Sequence, residues 1–154
     1  MKKLFAICFS LTGLCLLACG QKNVNTKLPE TWNKDFTIRV TISGNMNGSH
    51  PQTIFTYDSC VHVSRDSNGN RKREAIALIQ KDRNEILQFL KRNNVEKFSS
   101  KYKRGRILDG SSRSICFFGS DVPCMEVGTS YRVGEENAEI FRTVYDYLDG
   151  FPTK

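Results

Sequence analysis

Phe36, Ile38, Val40 and Ile42 alternate strictly with Thr37, Arg39, Thr41 and Ser43. Side chains of a strand point to opposite faces with a period of two, so this stretch reads as a strand with one apolar and one polar face. Such a strand cannot stand alone. Its backbone groups need neighbouring strands, and its apolar face needs a covering layer. The remainder of the chain must therefore supply a sheet and something to pack on one side of it.

More strands are legible downstream. Gly44 to Pro51 supplies turn residues, and Thr53 to Ser64 is a long β-branched and aromatic run. Read as one strand, it puts Phe55, Tyr57, Val61 and Val63 on one face, with Cys60 and His62 on the other. The Asn68-Gly69 step suits a tight hairpin, which predicts a third strand over Glu74 to Gln80 with Arg71, Lys72 and Arg73 on the hairpin arm. Ser112 to Phe118 and Val122 to Val127 read as two further strands joined around Ser120, and Ser130 to Val133 as a short one. Phe117 and Phe118 must face opposite ways, so either both sheet faces are covered or one phenylalanine is exposed.

The covering layer is expected from two helices. Asp82 followed by Glu85 suits a helix start, Ile86, Leu87, Phe89 and Leu90 form an apolar side, and Asn93-Asn94 suits the stop. Glu135 and Glu136 open the second helix, on which Ala138, Phe141, Val144, Tyr145 and Leu148 recur at helical spacing before Gly150. The expected fold is α+β: a mostly antiparallel sheet of five or six strands with two helices packed on one face.

Before this domain the composition changes. Lys2 and Lys3 precede an apolar run from Leu4 to Leu17, which is shorter than the roughly 20 residues needed to span a bilayer. The run ends in Leu16-Leu17-Ala18-Cys19, which resembles the lipobox of bacterial lipoprotein precursors at every position. The resemblance implies a signal peptide over residues 1–18, cleavage before Cys19, and acylation of the Cys19 thiol. It implies nothing about the domain that follows. Each buried methylene adds about 0.8 kcal/mol of membrane affinity, so two or three acyl chains anchor durably. Residues 19–34 are then expected to be a lipidated cysteine and flexible tether reaching roughly 20 Å, with Trp32 at the domain edge, and residues 35–154 a single domain.

Export changes what the cysteines can do. Of the six, Cys8 and Cys15 leave with the signal and Cys19 carries lipid, leaving Cys60, Cys116 and Cys124. Three pairings are open. A hairpin about Ser120 sets Cys116 opposite Cys124 and makes theirs the expected disulfide, although a register shift of one residue forbids it.

Charge is unevenly spread. Residues 65–113 hold 14 Lys or Arg against 6 Asp or Glu, whereas residues 114–154 hold 3 against 7. The densest basic stretch, Lys101, Lys103, Arg104 and Arg106 around Tyr102, is the candidate anion contact, with plain solvation as the alternative. No nucleic-acid motif is present, and an exported protein is not expected to meet nucleic acid.

Chemistry is short of parts. The chain has two histidines, His50 and His62, and lacks His-Glu-x-x-His, Cys-x-x-Cys, nucleotide-loop and Gly-x-Ser-x-Gly motifs. No cofactor or metal site is expected. Cys60 and His62 share a strand face and form the one constellation resembling a cysteine nucleophile, but no orienting residue accompanies them. The expectation is a non-catalytic binding module of the cell envelope. It would be held to the outer or inner membrane through acylated Cys19, facing periplasm or cell surface, and would meet an envelope protein or anionic glycan. The alternatives are an envelope inhibitor or immunity protein that caps a hydrolase and, more remotely, an enzyme built on Cys60 and His62. Cys19→Ala should abolish radiolabelled-palmitate incorporation and leave a larger, uncut precursor on gels; normal processing would refute the lipobox assignment.

Overall fold

The computed structural model describes residues 27–43, 50–102, 111–129 and 131–151. The first half of the chain forms β1 (Thr37–Ser43), β2 (Gln52–Phe55), β3 (Ser59–Arg65), β4 (Arg71–Ala77) and α1 (Gln80–Arg92). A helical turn at Val95–Lys97 leads to β5 (Lys101–Tyr102), β6 (Ser112–Phe118), β7 (Met125–Gly128), β8 (Tyr131–Arg132) and α2 (Glu135–Asp149). Six strands make one antiparallel sheet in the order β4-β3-β2-β1-β6-β7, and β5 pairs with β8 separately. Both helices pack against this sheet, so the protein is α+β.

The alternating strand β1 is paired along its length with β6, from Thr37 opposite Phe118 to Ser43 opposite Ser112, and with β2 on its other side. Residues directly opposite share a face, so the register writes two inner rows across the sheet. One runs Ile76-Cys60-Phe55-Ile38-Phe117 and the other Glu74-His62-Thr53-Val40-Ile115-Met125. Ile38, Phe55, Ile115 and Met125 are fully buried there, beneath Ile86 and Leu90 of α1 and Val144 and Leu148 of α2. Each such apolar side chain contributes about 1.5–3 kcal/mol on leaving water. The helices meet through stacked Phe89 and Tyr147 rings, 3.8 Å between centroids.

Thr53 to Ser64 is a hairpin rather than one strand. Its turn contains no glycine or proline. It closes instead by bonds between Thr56 and Ser59: the Thr56 N–H donates to the Ser59 carbonyl at 2.8 Å, and the Ser59 N–H donates to Thr56 Oγ1 at 3.1 Å. The chain reversal puts Phe55 opposite Cys60 on the inner face and sends Val61 and Val63 to the outer one, which corrects the single-strand face assignment. The next turn forms where the Asn-Gly step predicts, with Gly69 at φ +81° and the Asp66 carboxylate accepting from the Asn68 and Asn70 N–H groups. Those bonds hold the Asp66 pKa below its usual value. The strand after it starts at Arg71, three residues earlier than expected, so Arg71, Lys72 and Arg73 belong to the ladder itself.

Helix α1 also starts earlier than the sequence pattern suggests. Asp82 sits in the first turn and accepts from the Ile79 N–H at 3.0 Å, serving the helix start from inside rather than capping it from outside. Helix α2 matches its expected bounds.

The Cys116–Cys124 disulfide is formed, and Cys60 is free and buried. It closes the loop between β6 and β7, with Ile115 and Met125 as the last ladder pair before it. Closing nine residues stabilises by about 2.5 kcal/mol through lost chain entropy. Gly119 in that loop has φ +76°, and a Cβ there would overlap the Asp35 carbonyl. Only glycine lets the loop lie against the entry to β1.

The stretch expected to be a tether is packed from Leu28 onward. Leu28 and Trp32 are buried with the core residues, Trp32 meets Phe36 edge-to-face at 5.0 Å, and the Leu28 N–H donates to Glu96 Oε1 at 2.6 Å. A tryptophan and a leucine among polar neighbours carry no period, so the pattern leaves Leu28 in the tether and brings Trp32 no deeper than the domain edge. Trp32→Ala should lower stability by about 3 kcal/mol, as for a large buried aromatic; urea unfolding that moves by less than about 0.5 kcal/mol would show Trp32 to be peripheral.

Candidate functional site

The register that builds the inner rows also builds an outer face, and neither helix lies on it. One outer row runs Ala75-Val61-Ile54-Arg39-Cys116, and the next Arg73-Val63-Gln52-Thr41-Ser114-Glu126. Beyond them Arg65 faces Arg71 across β3 and β4, and Phe118 faces Thr37 across β6 and β1. Val61 and Val63 are buried even on this side, whereas Phe118 is 44% exposed. The Arg39 guanidinium lies over the Phe118 ring, 4.9 Å from its centroid. A planar cation on an aromatic face makes a flat, amphipathic contact surface in the middle of the sheet.

Its charge has one dominant sign. Arg39, Arg65, Arg71 and Arg73 occupy outer strand positions, against Glu126 at the far edge. Arg65 and Arg71, with His50, Gln52, Val63 and Ser64, line a cleft of about 260 Å³ at the end of β2, β3 and β4. Lys72 faces the other way and is paired with Glu74 at 2.7 Å, which raises the lysine pKa and lowers that of the carboxyl. Both members are well exposed, so the pair contributes little to stability; its effect is to neutralise Lys72 locally. Among the described residues no ion pair does the same for Arg71 or Arg73.

The residues singled out from the sequence are scattered relative to this face. Cys116 and Cys124 are the disulfide at the β6–β7 end. Lys101 lies exposed on β5, opposite Arg132. Lys103, Arg104, Arg106 and Cys19 fall outside the described residues. The arginines of the outer face were legible as charges, but not as one surface, because they come from β1, β3 and β4 and meet only through pairing register.

Cys60 and His62 do share the inner face, as their spacing requires, but the surroundings are those of a core. Cys60 is 1% exposed, and burial pushes its thiol pKa up to about 12. A nucleophilic cysteine needs the thiolate, which this position withholds at neutral pH. His62 Nδ1 lies 3.1 Å from Thr53 Oγ1, its in-register neighbour, so the imidazole is engaged with a hydroxyl. Among the described residues no three His, Cys, Asp or Glu side chains converge to hold a metal. No described helix is long and apolar enough to cross a membrane.

A buried arginine escaped the sequence reading. Arg83, in the first turn of α1, donates from Nη1 to the carbonyls of Tyr57 and Leu78, both at 2.7 Å, and stacks 4.1 Å from the Tyr57 ring centroid. It ties the helix to the β2–β3 turn. In the sequence it is one more residue of a basic stretch; only its depth distinguishes it.

No protein-family model matches the chain, and no curated protein matches it in sequence.

The raised Cys60 pKa carries a sign. Below about 9 the thiol is protonated whether folded or unfolded; between about 9 and about 12 only the unfolded chain loses the proton, so stability falls as pH rises through that window. The slope from this one group approaches about 1.4 kcal/mol per pH unit. Cys60→Ala should therefore lose stability less steeply than the parent between pH 9 and 11 in urea melts; parallel curves would show that the thiol is not shielded.

Proposed function

We propose that the protein is a lipid-anchored, non-catalytic binding module of the bacterial cell envelope that meets an anionic partner through the outer face of its sheet. The observation that carries this reading is the outer face itself: an exposed Phe118 under Arg39, with Arg65, Arg71 and Arg73 of the same sign beside it. Flat surfaces that combine an aromatic with arginine suit protein contact, since both side chains cover apolar area while keeping a polar edge. The excess of positive charge speeds encounter with a partner of opposite sign.

The anchor follows from the lipobox resemblance of Leu16-Leu17-Ala18-Cys19. Only the residues from Cys19 to Lys27 then remain as linker, because Leu28 is already packed in the domain. Even fully extended, those nine residues reach at most about 30 Å. The domain therefore works close to the membrane surface, where envelope proteins and acidic glycans are within reach. Burial of Cys60 and the engagement of His62 support a non-catalytic role.

Crosslinking in intact cells is the deciding experiment. A photoreactive residue replacing Phe118 or Thr41 should capture one recurrent partner, and Arg39→Glu with Arg73→Glu should reduce that capture at least tenfold without changing the melting temperature by more than a few degrees. Capture through exposed α2 positions such as Arg142 instead, or none from the outer face, would overturn the reading.

A further inference from the structure

The sheet has two edges, and they differ. The β7 edge is four residues long and has β8 beside it. The β4 edge is seven residues long, every one of them exposed, and among the described residues no strand lies beyond it. An open edge presents unpaired N–H and C=O groups and accepts another strand unless something prevents it.

Which groups are open follows from the ladder. The Asp66 N–H donates to the Asn70 carbonyl and the Leu78 N–H to the Asp58 carbonyl, so these pairs are of the hydrogen-bonded kind at the two ends of the β3–β4 ladder. Hydrogen-bonded and non-hydrogen-bonded pairs alternate in an antiparallel ladder. Lys72, Glu74 and Ile76 therefore direct their backbone groups toward β3, whereas Arg71, Arg73, Ala75 and Ala77 direct theirs away from the sheet.

The side chains divide the same way. Arg71, Arg73 and Ala75 stand on the outer face, next to the Arg65 cleft. Lys72, Glu74 and Ile76 stand on the inner side, where Ile76 is 44% exposed. Charged edges commonly serve to block pairing, and Arg71 and Arg73 oppose a strand of their own sign: a parallel contact between two β4 strands would set them side by side, whereas an antiparallel one would set them against Ala77 and Ala75. The same charges favour a strand of opposite sign. Blocking alone leaves the exposed Ile76 unexplained, and an arriving strand would give it cover.

We propose that β4 is a docking edge for an extended acidic segment of a partner protein, which adds as a seventh strand. This rests on the binding-module reading and assigns its partner's form. Carboxylates on one side of the added strand meet Arg71 and Arg73, and apolar residues on its other side cover Ile76. Its backbone bonds to Arg71, Arg73, Ala75 and Ala77. Main-chain bonds then supply much of the affinity and the alternating side chains the selectivity.

The test uses the full-length protein in detergent micelles and a fluorescein-labelled nonapeptide of alternating Glu and Val. The peptide should bind in an anisotropy titration, weaken at least tenfold between 50 and 300 mM salt, and slow amide exchange at Arg73 and Ala75. A Lys-Val peptide should bind at least tenfold more weakly. Ala75→Pro removes an outward N–H without touching the β3 ladder, so it should cost at least tenfold in affinity while leaving the unfolding curve in place. Arg71→Glu with Arg73→Glu should cost as much, and it decides the matter if the proline variant does not fold. Absence of Glu-Val binding, or exchange protection on β1 and β6 with β4 unchanged, would overturn strand addition. In-cell capture from Phe118 that persists alongside either result would leave the binding-module reading intact; peptide binding at β4 without any in-cell capture would remove that reading and keep the edge.

Discussion

Strand β1 is hydrogen-bonded to β2, which follows it closely, and to β6, which arrives some seventy residues later, and every other layer is placed by that double pairing. The register is strict because a slip of one residue would carry Ile38 and Val40 into water and Arg39 into the core. Once it is set, Phe55, Cys60, Ile115 and Met125 fall on the inner face, and the apolar stripes of α1 and α2 have one place to go. The aromatic contacts that close the layers, Phe89 on Tyr147 and Trp32 on Phe36, then fix how the helices and the entering chain sit over it.

The outer face is the other consequence of the same pairing. Covering the inner side with both helices leaves the outer side to water. That is why Arg39, Arg65 and Arg73 can gather there around Val61 and Val63 at little desolvation cost. The disulfide lies at one end of this face and the open β4 edge at the other. Rigidity at the β6–β7 end, from Cys116–Cys124 and the Gly119 contact with Asp35, holds the strand that carries Phe118. The free end is where a partner can add without disturbing the core.

Much of this was legible from local pattern, and the failures have definite causes. The bounds of α2 and β6 follow from a helical stripe ended by Gly150 and from an apolar alternation, signals carried by a single segment. The β2–β3 reversal was hidden because Thr56 and Ser59 close it by hydrogen bonds, without the glycine or proline that marks a turn in sequence. Two isolated apolar residues have no period, so the pattern reads Leu28 as tether and Trp32 as a contact at the domain edge, although each finds a place in the core. The Cys60 and His62 pair was correctly placed on one face, but the meaning of that face changed. Facing inward means burial, and burial keeps the Cys60 thiol protonated.

The sequence by itself determined the secondary structure of the strongly periodic segments, the α+β class and the hairpin that makes Cys116 meet Cys124, because period, turn chemistry and loop length act over neighbouring residues. It also carries the lipobox resemblance at Cys19, which is a linear signal. Only the tertiary structure decided which arginines share a surface, that Arg83 is buried against the Tyr57 and Leu78 carbonyls, and that β4 ends the sheet with its backbone open. Those properties depend on strand order and register, which come from contacts between residues far apart in the chain and leave no mark on any single stretch of it.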